Sequence, residues 1–206
     1  MSAVDVSDRL IAEALQTELG GSVIGREITV LEETTSTNDA LLRLTTGRVD
    51  EGCVVFAEHQ TAGRGQRGNR WESAARKGLC FSILLRPQIE IAKSARLTAW
   101  AAQTVANTIQ SEFFLAPTVK APNDVYLRGK KVAGVLVEMR AQEKAAHLAI
   151  AGIGINVNQT AEDFSEALRP GAISVAMALD RPVDRQKFAL ALLRNLDRSY
   201  RELLAP

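Results

Sequence analysis

Apolar and polar positions alternate along this chain in two rhythms, one with the period of a helix and one with the period of a strand. Residues 8–19 place Leu10, Ile11, Ala14, Leu15 and Leu19 on one helical face, with Ser7 placed to cap the start and Gly20 and Gly21 to stop it. Residues 94–114 carry Leu97, Trp100, Ala101, Val105, Ile109 and Phe113 as a stripe, which makes Trp100 a core residue. A short helical segment at 173–179 precedes a helix capped by Asp184 and running to Leu204, whose buried stripe is Phe188, Leu192, Leu196, Tyr200 and Leu203. A further helical pattern at 40–44 follows a run of hydroxyl and amide side chains, where Thr35 or Ser36 suits an N-cap.

Strand rhythm marks 28–31, 53–57, 79–85, 132–139 and 147–157. The turn Arg128-Gly129-Lys130 joins the polar run 119–127 to 132–139 as a hairpin whose return strand carries Lys131 at its start. In 147–157, Gly152, Gly154 and Asn156 share one face, and Ala151, Ile153, Ile155 and Val157 share the other. Glycine weakens a strand unless something must approach its backbone closely. A ligand lying on that face and a helix packed against it both meet the condition. The element order predicts a single α+β domain over residues 1–206, a mixed sheet backed by helices. The first helix is too short to form a helix-turn-helix module, so no DNA-binding domain is expected.

Bulk properties narrow the classes. With 206 residues, 46% hydrophobic and 24% charged, the chain has ample material for a core. A net charge of +1 supplies no global field toward nucleic acid or membrane. Cys53 and Cys80 lie in apolar runs without metal or disulfide spacing, so they read as buried free thiols of a reducing compartment. No targeting segment or membrane-length apolar run is present, and the cytoplasm is the expected location.

One stretch departs from this ordinary background. Across residues 58–73, Gly63, Gly65 and Gly68 alternate with Arg64, Arg67 and Arg70, and Trp71 closes the run. Glycines let the backbone turn and approach a ligand, and guanidinium groups match carboxylate and phosphate geometry. A cationic loop ending in a flat aromatic suits a phosphorylated, ring-bearing ligand. A solvated basic loop, or an Arg-Gly segment on RNA, is the alternative reading. His59 beside it reads as structural. The cluster Ser36, Thr37 and Asn38 at a helix start offers neutral hydrogen bonds to a polar heterocycle, or serves only as a cap.

Taken in order, Ser36-Thr37-Asn38, the run from Gln60 to Trp71, Lys120-Ala121-Pro122-Asn123-Asp124, Lys130-Lys131-Val132-Ala133-Gly134 and Gly152-Ile153-Gly154-Ile155-Asn156 resemble the catalytic domain of the biotin protein ligases. The likeness covers residues 33–158. It implies a sheet backed by helices, shared with lipoate ligases and related to class II aminoacyl-tRNA synthetase domains. It also implies ATP-dependent formation of biotinyl-5′-AMP and transfer to a lysine of a biotin carboxyl carrier protein, with Mg²⁺ accompanying ATP. Ser36, Thr37, Asn38 and Gln60 would hold the ureido ring, Gly152 and Gly154 would floor it, and Arg64, Gly65 and Gln66 would form part of the covering loop. Lys131 would contact the biotin carboxylate and the α-phosphate, with Arg64 and Lys120 as further catalytic cations. Arg67, Trp71, Lys120, Asn123 and Asn156 would serve the nucleotide, and Asp124 the metal. The resemblance leaves a homodimer open.

The sequence departs from the family pattern where Gln66 and Asn69 replace arginines and where Ala121 replaces a tryptophan. It is also expected to lack the C-terminal β-barrel domain and the N-terminal DNA-binding domain that some members carry. A lipoate or octanoate ligase of the same fold is the near alternative, and a non-catalytic binder of biotin or RNA the distant one.

Overall fold

The computed structural model describes residues 8–45, 49–141 and 147–204. Among these, the strands are β1 (Ile28–Thr34), β2 (Val54–Gln60), β3 (Gly78–Leu85), β4 (Thr118–Lys120), β5 (Asp124–Leu127), β6 (Lys130–Arg140) and β7 (Leu148–Asn156). They build one seven-stranded sheet in the order β1-β2-β3-β7-β6-β5-β4. Only the β1–β2 pair among these is parallel, so the expected mixed sheet is the one observed. Both strands run past their expected ends because the parallel pairing continues to Glu33 opposite His59 and Thr34 opposite Gln60. Helix α2 (Thr37–Leu44) is the crossover that a parallel pair requires.

Strand alternation gives the sheet two unlike faces. On β3 and β7, Leu79, Phe81, Ile83, Leu85, Ala149, Ala151, Ile153 and Ile155 enter one continuous core with helices α1 (Ala12–Leu19), α3 (Ala95–Phe113) and α5 (Arg185–Leu204). Leu97, Trp100, Val105 and Ile109 of α3 meet Phe188, Leu192, Leu196 and Tyr200 of α5 there. Trp100 is core, as its spacing predicts, and its indole N–H donates to Ser199 Oγ at 2.8 Å. The opposite face holds a smaller cluster, Ala40, Leu41, Cys53, Val55, Leu84, Leu148 and Ile150, beneath α2. Cys53 and Cys80 are buried free thiols, and burial pushes the Cys53 thiol up to about 11.

Differences from the sequence reading have local causes. Helix α1 begins at Ala12 instead of residue 8, leaving Ile11 and Ala14 exposed; the expected cap Ser7 lies outside the described residues. The preceding groups are committed elsewhere. Asp8 accepts from Arg185 Nε at 3.3 Å, and Leu10 N–H donates to Glu58 Oε1 at 3.0 Å. Arg185 is fully buried; its Nη1 donates to Glu58 Oε2 at 2.7 Å and to the Gly78 carbonyl at 2.9 Å. Helix α2 starts at Thr37, three residues before the expected 40, because the Gln60 carboxamide satisfies the otherwise orphaned Thr37 N–H at 2.8 Å. Ser36 occupies the cap position, but its side chain makes no capping bond. Asp184 does cap α5, accepting from Lys187 N–H at 3.0 Å. The segment before it shortens to α4 (Val175–Leu179), capped by Ser174.

Candidate functional site

On the face of β7 where Leu148 and Ile150 pack beneath α2, the strand continues as Gly152 and Gly154 beside the N-terminus of that helix, and the two make a floor and a wall. Because adjacent strands are in register, Gly154 sits between Cys80 of β3 and Gly134 of β6, and Gly152 between Ser82 and Leu136. The loop after β2 folds over this floor. Its backbone closes on itself through Trp71 N–H to the Gly63 carbonyl at 2.9 Å and Gly65 N–H to the Asn69 carbonyl at 2.7 Å. A side chain at Gly63 would collide with the Trp71 carbonyl, which explains the glycine there. Floor, wall and loop together bound an open cleft. It is lined by Ser36, Thr37, Asn38, Gln60, Arg64, Gly65, Gln66, Trp71, Asn123, Lys131, Gly152 and Gly154, all expected from sequence. Gly134, Val135, Leu136 and Ile153 line it as well.

The wall is a buried hydrogen-bond network. Ser82, completely buried on the floor, has its hydroxyl 2.8 Å from Thr37 Oγ1 and donates to Asn38 Oδ1 at 2.5 Å. Thr37 Oγ1 is 3.2 Å from Gln60 Oε1, and Gln60 N–H reaches Ser73 Oγ at 3.2 Å. Asn38 Nδ2 donates to Glu138 Oε2 at 2.7 Å. Buried polar groups with satisfied partners hold fixed orientations, since breaking any bond leaves an unpaired group away from water. Gly152 is needed here because a Cβ would strike the Asn38 carboxamide.

The charged groups are committed in pairs. Arg64 grips Glu138 through Nη1 at 2.9 Å and Nη2 at 2.7 Å, and Nη2 also reaches Asp39 Oδ1 at 2.8 Å. Donation to the Glu138 carboxylate holds the guanidinium above its ordinary value. Burial pushes the Glu138 carboxyl up, but hydrogen bonds from Asn38 and Arg64, with the Arg64 charge, outweigh it and hold the group below the usual glutamate value. Lys131 Nζ lies 2.7 Å from Asp124 Oδ1, and Asn123 Nδ2 donates to the same oxygen at 2.8 Å. The ammonium is also 5.8 Å from the Trp71 ring centroid, within cation–π range. The main chain of Lys131 is clasped by a segment distant in sequence. Its N–H donates to the Gly171 carbonyl at 2.7 Å, and its carbonyl accepts from Ile173 N–H at 3.0 Å. The indole of Trp71 rests on Gly154, where a Cβ would overlap it.

Some expected residues fall elsewhere. Lys120 is exposed on β4, its Nζ 6.0 Å from the Tyr126 ring centroid, and does not line the cleft. Arg67 is exposed at the loop tip with φ 56. Asn156 is buried beyond the cleft lining, its Nδ2 donating to the Ile173 carbonyl at 3.2 Å. Asp124 does not line the cleft, but its side chain meets Lys131 and Asn123, which do. Among the described residues no cluster of three metal-ligating side chains exists, so Asp124 does not belong to a preformed metal cage. His59 Nδ1 is 3.0 Å from Glu33 Oε2, a structural position. Sequence reasoning missed Ser82 and Glu138. Their signal was alternation: Ser82 pairs with Gly152, and Glu138 lies two residues beyond Leu136 on the same face of β6.

Residues 30–156, from β1 through the end of β7, match the model of the biotin/lipoate A/B protein ligase family. The match spans more than half of the chain and contains every lining residue. The chain belongs to this family. Relatives include the bifunctional ligase/repressor BirA of Bacillus spizizenii, 34% identical over 199 residues covering 97% of this chain and 60% of that protein. The biotin–[acetyl-CoA-carboxylase] ligase of Mycobacterium tuberculosis is 34% identical over 190 residues, covering 89% of this chain and 68% of that protein. Among solved structures, the biotin protein ligase of Aquifex aeolicus in complex with biotin and ATP superposes with a TM-score of 0.73 at 30% identity, over 87% of this chain and 72% of that one. The chain thus spans about 60% of the length of the BirA relatives it matches. The family region ends before the 171–173 clasp, which holds the main chain of Lys131 from outside it. No helix among the described residues is long and apolar enough to cross a membrane.

Proposed function

We propose that this chain is a biotin ligase that joins biotin to ATP as biotinyl-5′-AMP, releases pyrophosphate and passes the biotinyl group to a lysine of a biotin carboxyl carrier domain. The observation that carries this reading is convergence. Segments from α2, β2, the loop at 58–73, the hairpin and β7 line one cleft in which neutral hydrogen-bonding groups stand at one wall and Lys131 stands near Trp71. The wall suits a polar ureido ring, and the ammonium suits a carboxylate meeting a phosphate.

Both reactants are anions, so the chemistry needs positive charge where they meet, and one preorganised donor or cation contributes about 3 kcal/mol. Among the described residues, Lys131 is the cleft cation with a single carboxylate partner, whereas Arg64 is shared between two. Lys131 therefore carries the main charge role. A carboxylate oxygen of biotin attacks the α-phosphorus, the bond to the pyrophosphate oxygen breaks, and a mixed anhydride forms. Trp71 and the loop exclude water from that anhydride. The carrier lysine then attacks as its neutral amine, forms the amide, loses a proton and releases AMP. Lys120 and Arg67, both exposed, serve the nucleotide phosphates, and Asn123 and, from behind the lining, Asn156 support the nucleotide end of the cleft. Magnesium would enter with the triphosphate, supplying further neutralisation of phosphate charge, with Asp124 as its protein carboxylate. The buried free thiols Cys53 and Cys80 support a cytoplasmic location.

The test is ATP–pyrophosphate exchange, with intact-mass measurement of a carrier domain after incubation with biotin and ATP. Biotin-dependent exchange, a mass gain by the carrier and loss of both in Lys131→Ala support the reading. Exchange driven by lipoate in place of biotin would move the chain to the neighbouring activity of its family, and binding without exchange would make it a binder.

A further inference from the structure

We infer that Glu138 is a positioning residue that makes closure of the 58–73 loop and orientation of the Asn38 carboxamide a single event, a reading that rests on the proposed use of this cleft for a polar ring. The geometry is a three-way junction. One carboxylate accepts both guanidinium N–H groups of Arg64, on the loop, and the Nδ2 of Asn38, on α2, at 2.9, 2.7 and 2.7 Å. Glu138 itself is on β6, in the sheet, so three elements meet at its two oxygens.

The consequence for Asn38 is a fixed amide. Its nitrogen faces a carboxylate and its oxygen accepts from the buried Ser82 hydroxyl at 2.5 Å. A flip would set oxygen against oxygen at Glu138, so one orientation holds. One N–H and one lone pair remain for a neutral ligand edge that offers an acceptor beside a donor. If the loop lifts, Arg64 leaves with it, and Glu138 loses the two guanidinium bonds that fix its carboxylate beside Asn38.

A purely structural role predicts something different. The side chains of Arg64, Asp39 and Glu138 are each more than a third exposed, and ion pairs of that exposure contribute about 0–1 kcal/mol to stability. A large effect on ligand handling combined with a small effect on stability therefore identifies positioning. Asp39 supplies an internal control. It pairs with Arg64 at 2.8 Å but makes no hydrogen bond to Asn38, so it shares the charge and not the coupling.

The experiment compares the full chain with Glu138→Gln and Asp39→Asn. A glutamine whose oxygen takes the Oε2 place keeps a partner for Asn38 but sets an amide NH2 against Arg64 Nη1 and removes the charge, so the two-oxygen grip on the loop is lost. In biotin-dependent pyrophosphate exchange, Glu138→Gln is expected to raise KM for biotin about tenfold, the ratio given by about 1.4 kcal/mol, with kcat within about threefold and thermal stability nearly unchanged. Asp39→Asn is expected to change KM less than about threefold. A second readout needs no activity. Trypsin cleavage after Arg67 is expected to quicken about tenfold in Glu138→Gln, since the loop is released in proportion to its lost tie. An unchanged KM and unchanged cleavage in Glu138→Gln overturn the inference, as do equal effects in Asp39→Asn. Absence of biotin-dependent exchange in the unaltered chain would sink the ligase reading instead, and the cleavage comparison would still decide whether Glu138 ties the loop.

Discussion

The two faces of this sheet are built from the same strands and obey different rules. On one, α1, α3 and α5 close over apolar side chains, and stability comes from area removed from water. On the other, α2 covers only one end, and the rest is floored by Gly134, Gly152 and Gly154 and walled by hydrogen-bonded side chains. Strand β7 serves both at once, sending Ile153 and Ile155 into the core while Gly152 and Gly154 leave room above. The lesson is a division of labour within a two-residue repeat. One set of positions holds the fold together, and the interleaved set gives up side chains so that other groups can approach the backbone.

If that division is right, substitutions on the helical face should unfold the protein and those on the cleft face should not. The largest effect is expected from Arg185→Ala, which strands Glu58 as a buried charge. Such a loss costs about 3–5 kcal/mol, readable as a fall in the urea midpoint. Next comes Leu192→Ala, fully buried between α5 and its neighbours, at about 3 kcal/mol in the same measurement. Gly154→Ala crosses the boundary. Its methyl displaces Trp71, and because that indole sits on a loop, the cost should stay near 1 kcal/mol while Trp71 fluorescence shifts to longer wavelength. A loss as large as that of Leu192→Ala would mean that the glycine face is part of the core.

The smallest effect concerns acid. The Glu138 carboxyl titrates below its ordinary value of 4.5 when folded. Its contribution is therefore complete above that value and is lost as pH falls through the lower, folded value. The stability gap between the natural chain and Glu138→Gln should be constant at neutral pH and close on acidification. It should stay under about 1 kcal/mol because the pair is partly exposed. A gap that widens in acid would reverse the sign assigned to this group.

Much of this was legible in the sequence, for reasons that differ by region. The periods of α3, α5 and β7 gave the helical face directly, since burial of a stripe is a local property of spacing. The glycines and Trp71 pointed to the cleft because few other arrangements need such residues together. What stayed hidden was pairing across the chain. Nothing local announces that Arg64 meets Glu138, 74 positions away, or that Lys131 is clasped by Gly171 and Ile173. The early start of α2 was hidden for the same reason, because Gln60 supplies the missing acceptor from another strand. Arg64 shows the limit most clearly. Its charge was evident, but whether that charge was free depended on two carboxylates that only folding brings to it.

Arg185 carries one more implication. It holds Glu58, where the covering loop leaves the sheet, and Gly78, where the chain returns to it, through the same Nη1 at 2.7 and 2.9 Å. Both feet of the excursion are pinned to one atom, so the gap between them has a set width. Whatever travel the loop makes is the swing of a gate on fixed posts, and the far end of the chain, through α5, sets where those posts stand.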